Sequence, residues 1–80
     1  MEDDKVVQPA HYVRWKIEPI TFCITNDLDF VRGNVIKYTM RAGHKQYDDL
    51  SLEESEIRDL EKARRYLEMK INHLKGEETL

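Results

Sequence analysis

Ile57, Leu60, Arg64, Leu67, Ile71 and Leu74 recur at alternating gaps of three and four, and no other pattern in the sequence leaves the chain so few options. That spacing holds one side of an α-helix apolar over some six turns. The run is bounded at both ends. Ser51-Leu52-Glu53-Glu54 reads as a capping box, with serine at the cap and glutamate three residues on, and Gly76 stands where a helix stops. A helix is therefore expected from Glu53 to about Lys75, roughly 33 Å long at about 1.5 Å per residue. The chain has 80 residues, enough for one small domain and too few to cover a helix of that length. Its distal half is expected to pack on a second copy, with Arg64 as a register or contact residue; the alternative is a solvated, frayed end.

The rest of the chain reads as helical too. Glu18-Pro19 opens a short first helix, since proline is tolerated in a first turn and Ile20, Phe22, Cys23 and Ile24 supply an apolar face. The β-propensity of Ile, Thr and Phe would also suit a strand, but nothing else in the sequence could pair with it. Asn26-Asp27-Leu28-Asp29 reads as a turn, with Asp27 or Asp29 free to cap a second helix over about Phe30 to Ala42. Gly43 suits its left-handed end, while Gly33 within it costs roughly 1 kcal/mol relative to alanine. The expected architecture is all-α: a small three-helix domain of short, middle and long C-terminal helices over residues 9–76. A flexible N-terminal arm of residues 1–8 precedes it, leading into an extended His11-Tyr12-Val13-Arg14-Trp15, and residues 77–80 form a tail.

Charge is distributed unevenly. Residues 1–29 carry six acids against three bases, and residues 48–80 carry ten acids against six. Between them, from Phe30 to Tyr47, there is no acid, while Arg32, Lys37, Arg41 and Lys45 give a charge of +4. This middle segment either seeks an anion or pairs with the acidic third segment across a helix interface. No stretch approaches a membrane span, and the start is acidic where a secretory signal would be basic and then apolar, so a soluble, unexported protein is expected. The lone Cys23 excludes an intramolecular disulfide and a Cys-rich zinc site, and it fits a reducing cytoplasm.

Asn34, Lys37 and Arg41 follow at i, i+3 and i+7, close to one line on the second helix, with Lys45 just beyond its end. An amide, an ammonium and a planar guanidinium in a row suit the oxygens of a phosphate, which Arg41 could bind through two parallel hydrogen bonds. Tyr12 and Trp15 flank Arg14 in a mixture suited to stacking on a base or anchoring to a partner, though core filling is the commoner use. The three glycines do not form a P-loop, which excludes ATP chemistry by that route, and the sequence has no strong nucleic-acid signal. Glu53, Glu56 and Asp59 could hold Mg²⁺, but acids in a first turn more simply serve the helix dipole.

Four ordered blocks resemble a known family. They are Pro9-Ala10-His11-Tyr12, Ile17-Glu18-Pro19-Ile20, the run from Leu28 to Lys45 containing Gly33-Asn34-Val35-Ile36-Lys37-Tyr38, and Asp59-Leu60-Glu61-Lys62-Ala63-Arg64-Arg65-Tyr66-Leu67. Together they resemble small tailed-phage proteins of unknown function, one branch of which is nucleoside monophosphate kinase-like without a P-loop. Trp15-Lys16 stands where that family often carries glycine, and Arg65 where it often carries an aromatic residue. The resemblance implies a phage accessory protein of the host bacterial cytoplasm, with His11, Tyr12, Asn34, Lys37, Tyr38, Arg41 and Lys45 as ligand-binding residues and Glu18 as a further shared polar position. It implies a nucleotide or phosphate-bearing ligand, with Mg²⁺ as the cation a nucleotide would bring, and it leaves turnover open. The rival expectation is a non-catalytic host-takeover protein that binds and inhibits a host RNA polymerase or defence nuclease through its acidic ends and the Tyr12 to Trp15 arm.

Overall fold

Ser51 begins the longest element with both halves of a capping box. Its hydroxyl accepts from Glu54 N at 3.0 Å, and the Glu54 carboxylate accepts from Ser51 N at 2.8 Å. In this computed structural model, which describes residues 14–79, the helix α3 (Leu52–Leu74) then runs for 23 residues. It ends at Gly76 (φ 79°), with Gly76 N donating to His73 O and Glu77 N to Asn72 O, the paired bonds of a Schellman motif.

Two shorter helices precede it, α1 (Pro19–Thr25) and α2 (Phe30–Arg41), and no strand occurs among the described residues. The expected all-α, three-helix architecture is therefore the observed one. Pro19 occupies the first position of α1, and the helix closes with the same paired bonds as α3, Leu28 N to Cys23 O and Asp27 N to Ile24 O. The left-handed position of that cap is held by Asp27 (φ 55°) rather than glycine. Asp29 caps α2 by accepting from Arg32 N at 2.7 Å. That helix stops at Arg41 because Gly43 turns left-handed (φ 87°), with the Glu56 carboxylate 3.3 Å from where a Cβ would stand. The arm of residues 1–8, together with His11 and Tyr12, lies outside the described residues.

α2 packs on both of its neighbours, most extensively on α3. The face of α3 turned to α2 is not the apolar seam. It is the row Ser55, Asp59 and Ala63, the only buried residues among those described. These side chains are small, so the helices approach closely, and aromatic rings fill the space beside them. Tyr38 of α2 stacks on Tyr66 of α3 at 5.9 Å, and Phe30 meets Tyr66 edge to face at 6.0 Å. At about 100° per residue the seam lies roughly a third of a turn round from this face, so Ile57, Leu60, Leu67, Ile71 and Leu74 stay 45–71% exposed. No helix among the described residues is long and apolar enough to cross a membrane.

Candidate functional site

Asp59 is fully buried midway along the first half of α3, where an unpaired carboxylate would be prohibitively costly. Arg41, at the end of α2, answers it with two hydrogen bonds, Nε to Oδ2 at 3.3 Å and Nη2 to Oδ1 at 3.0 Å. Tyr47 donates its hydroxyl to Oδ1 at 2.5 Å, and that hydroxyl accepts from Arg41 Nη2 at 2.8 Å and from Lys62 Nζ at 3.0 Å. The backbone at Tyr47 is held in turn by Ser55, whose Oγ accepts from Tyr47 N at 2.9 Å. One carboxylate thus ties the end of α2, the loop after it and two turns of α3 together. Burial alone would drive the Asp59 carboxyl up. Hydrogen bonds from Arg41 and Tyr47, with the charges of Arg41 and Lys62, outweigh that and hold it below the ordinary carboxylate range.

Cations crowd the rings around this network. Lys37, Arg41 and Lys62 stand over Tyr38 at 4.9, 4.8 and 5.2 Å, and Arg41, Lys45 and Lys62 over Tyr47 at 5.8, 5.6 and 4.9 Å. Among the described residues, Lys37, Lys45 and Lys62 have no carboxylate partner. With Arg41 spent on Asp59 and Lys62 donating to the Tyr47 hydroxyl, Lys37 is the exposed cation of the cluster and Lys45 is half-buried beside Tyr47.

On the other side of α2, against α1, lies a cleft of about 370 Å³. Ile20, Cys23, Leu28 and Phe30 give it apolar walls, Trp15 closes one side, Asn34, Lys37 and Arg41 line it from α2, and Asp29, its carboxylate paired with Arg32 at 2.7 Å, stands at its rim. Trp15 meets His44 edge to face at 5.2 Å, and its backbone N–H donates to Glu18 Oε2 at 2.9 Å, which fixes the segment before α1. The other oxygen, Glu18 Oε1, is buried without a hydrogen-bond partner among the described residues. Gly33 also lines the cleft. A Cβ there would meet only Cys23 Sγ, at an unstrained 3.9 Å, so helix packing does not require the glycine.

Of the residues expected to bind a ligand, Asn34, Lys37 and Arg41 share this cleft, whereas Tyr38 and Lys45 belong to the ring and cation cluster on the α3 side. His11 and Tyr12 lie outside the described residues. Arg41 realises the two-pronged geometry expected of it, but on Asp59 rather than on an external anion, as the alternative of pairing with the acidic third segment had it. Asn34 Nδ2 donates to Phe30 O at 2.8 Å, leaving its carbonyl oxygen free to accept. Asp59, grouped with Glu53 and Glu56 in the sequence, is the buried anchor of the network. The described residues hold no cluster of three or more His, Cys, Asp or Glu side chains suited to a metal.

The sequence matches a described family over residues 6–68, a span that takes in α1, α2, the polar network and most of α3. No curated protein and no solved structure matches it. By that match the chain belongs to the family described as proteins of unknown function, DUF3310.

Proposed function

We propose that this chain is a bacteriophage accessory protein of the host cytoplasm that takes a nucleotide, or another ligand bearing a phosphate group, into the cleft between α1 and α2. The observation that supports this reading is the meeting, in one cleft, of apolar walls and Trp15 with the Asn34 to Arg41 row. A flat apolar base suits the first and an anion the second. Lys37 is the direct cation for that anion, because it is exposed and has no carboxylate partner among the described residues. Arg41, its charge met by Asp59, contributes by holding the end of α2 in place. The phage assignment and the nucleotide rest on the four sequence blocks and their resemblance to phage proteins that include a kinase-like branch; no turnover step is assigned.

The test is thermal stabilisation by nucleoside mono-, di- and triphosphates and by inorganic phosphate. A ligand that binds only the folded state adds roughly 2.7 kcal/mol at a hundredfold excess over Kd. Lys37→Ala and Gly33→Ala are the informative variants, because removing Arg41 would leave Asp59 buried and unpaired and disturb the fold itself. Gly33→Ala should stabilise the free protein by up to about 1 kcal/mol through helix propensity while placing a methyl group in the cleft. A variant more stable than its parent yet deaf to ligand is the expected result. If no compound shifts the wild type at millimolar concentration, the reading fails.

A further inference from the structure

We infer that α3 joins two copies of this chain into an antiparallel, two-fold dimer through the seam that the fold leaves open. The seam is not the contact between α2 and α3, since Ser55, Asp59 and Ala63 take that role. Ile57, Leu60, Leu67, Ile71 and Leu74 are left about half exposed or more along the full length of the helix. The occupant follows from the spacing. Gaps of three, four, three, four and three read the same in either direction, so the seam is its own complement when a second copy runs the opposite way. In that register Ile57 meets Leu74, Leu60 meets Ile71 and Arg64 meets Leu67, each pair occurring twice about the axis.

The flank of the seam turned away from α2 supports the same orientation. Glu54, Glu61, Glu68 and Lys75 follow one another there at intervals of seven. Antiparallel pairing sets Glu54 against the second copy's Lys75 at both ends and brings Glu61 and Glu68 of the two copies together near the middle. Arg64 lies in the seam at that point, 70% exposed and only loosely held by its own Glu61 at 4.0 Å. Arg65 already faces Glu68 at 3.5 Å within each copy, and Arg64 adds a second cation to this meeting of carboxylates, which accounts for an arginine in an otherwise aliphatic seam. Parallel pairing would instead stack Arg64 on Arg64 and set Glu56 of one copy beside Glu61 of the other.

The area is sufficient. On the other flank Leu67 borders a shallow apolar groove with Phe22, Leu28, Val35 and Ile36, so the exposed surface continues from α3 onto α1 and α2. At on the order of 100 Å² each, the five seam side chains and Phe22 give about 600 Å² per partner, to which the half-buried Leu28, Val35 and Ile36 add little, and two such faces clear the roughly 1,000 Å² total of a specific interface.

Cysteine pairing tests the arrangement in a Cys23→Ala background of the full chain. Ile57→Cys and Leu74→Cys chains, each oxidised alone, should stay uncrosslinked, because the same position in the two copies lies about seventeen residues apart along the helix, roughly 25 Å. A mixture of the two should give the disulfide-linked pair. Self-crosslinking of either variant as efficient as that of the mixture would mean parallel packing, and absence of a crosslink in every arm would mean that the seams do not meet; either overturns the inference. Arg64→Glu should weaken association at least tenfold by sedimentation, while Arg64→Leu, which gives up the cation but extends the aliphatic seam, should fall between that variant and the wild type. Circular dichroism should show unchanged helix in both, since residue 64 is exposed within one copy. Equal association of the two variants would also overturn it.

Discussion

Asp59 shows how much of this small protein depends on single polar side chains. Asp59→Asn would keep the shape but remove the charge that holds Arg41, itself only 16% exposed, and breaking such a buried pair costs about 3 to 5 kcal/mol. A domain of this size is stable by about 4 to 12 kcal/mol, so urea unfolding should show the variant near the edge of folding. The same pairing sets the acid response. Because the Asp59 carboxyl is held below its ordinary range in the folded state, its contribution is complete above about pH 4 and is lost as the pH falls through the depressed folded value. Wild-type stability measured downward from pH 5 should therefore fall, and the Asp59→Asn curve should be flatter over that window. Asp27 offers a gain instead. It sits in the left-handed region (φ 55°), where a non-glycine residue is strained by about 1 kcal/mol, so Asp27→Gly should raise stability by up to that amount and Asp27→Ala should lower it.

Among the helices, the ends were legible in the sequence and the packing faces were not. Capping is local. Ser51, Asp29, Pro19, Gly43 and Gly76 act within four residues of themselves, so their types and order give α1, α2 and α3 to within a residue or so. Ser51→Ala should accordingly cost about 1 kcal/mol, read as a lower midpoint in urea. The α2 to α3 contact is different, because it joins residues 12 to 18 positions apart through hydrogen bonds from Tyr47 and Arg41 to Asp59. Its helical face is serine, aspartate and alanine, which leave no hydropathy signal, and its filling is tyrosine rings under cations. Periodicity therefore pointed to the seam, the strongest apolar pattern, while the chain folds on a quieter face beside it. Spacing alone did bring Asn34, Lys37 and Arg41 to one cleft, since a single helix carries all three. It could not show that Arg41 has a partner on α3, nor that Tyr47 and Lys62 belong with it.

At the scale of the whole molecule, the described chain spans 44 × 33 × 18 Å, a flat arrangement with one buried apolar residue, Ala63, and eleven large apolar side chains exposed. Polar pairing and ring stacking within one copy are directional and fix which helix lies where, but they bury little apolar surface, which is the main favourable term in folding. Closing the seam against a second copy would supply that missing burial and couple stability to association. The melting temperature should then rise with protein concentration across a hundredfold range, because a dimer's folded state is favoured by mass action. Ile71→Asp, which puts an unpaired charge into the seam without touching the Asp59 network or the cleft, should melt lower and lose the concentration dependence. It should still bind whatever ligand the cleft takes, since Lys37 and Gly33 lie on the other side of α2. A wild-type melting temperature flat over that range would mean that the single copy is stable with its seam in water, and that the polar network suffices to hold three helices together.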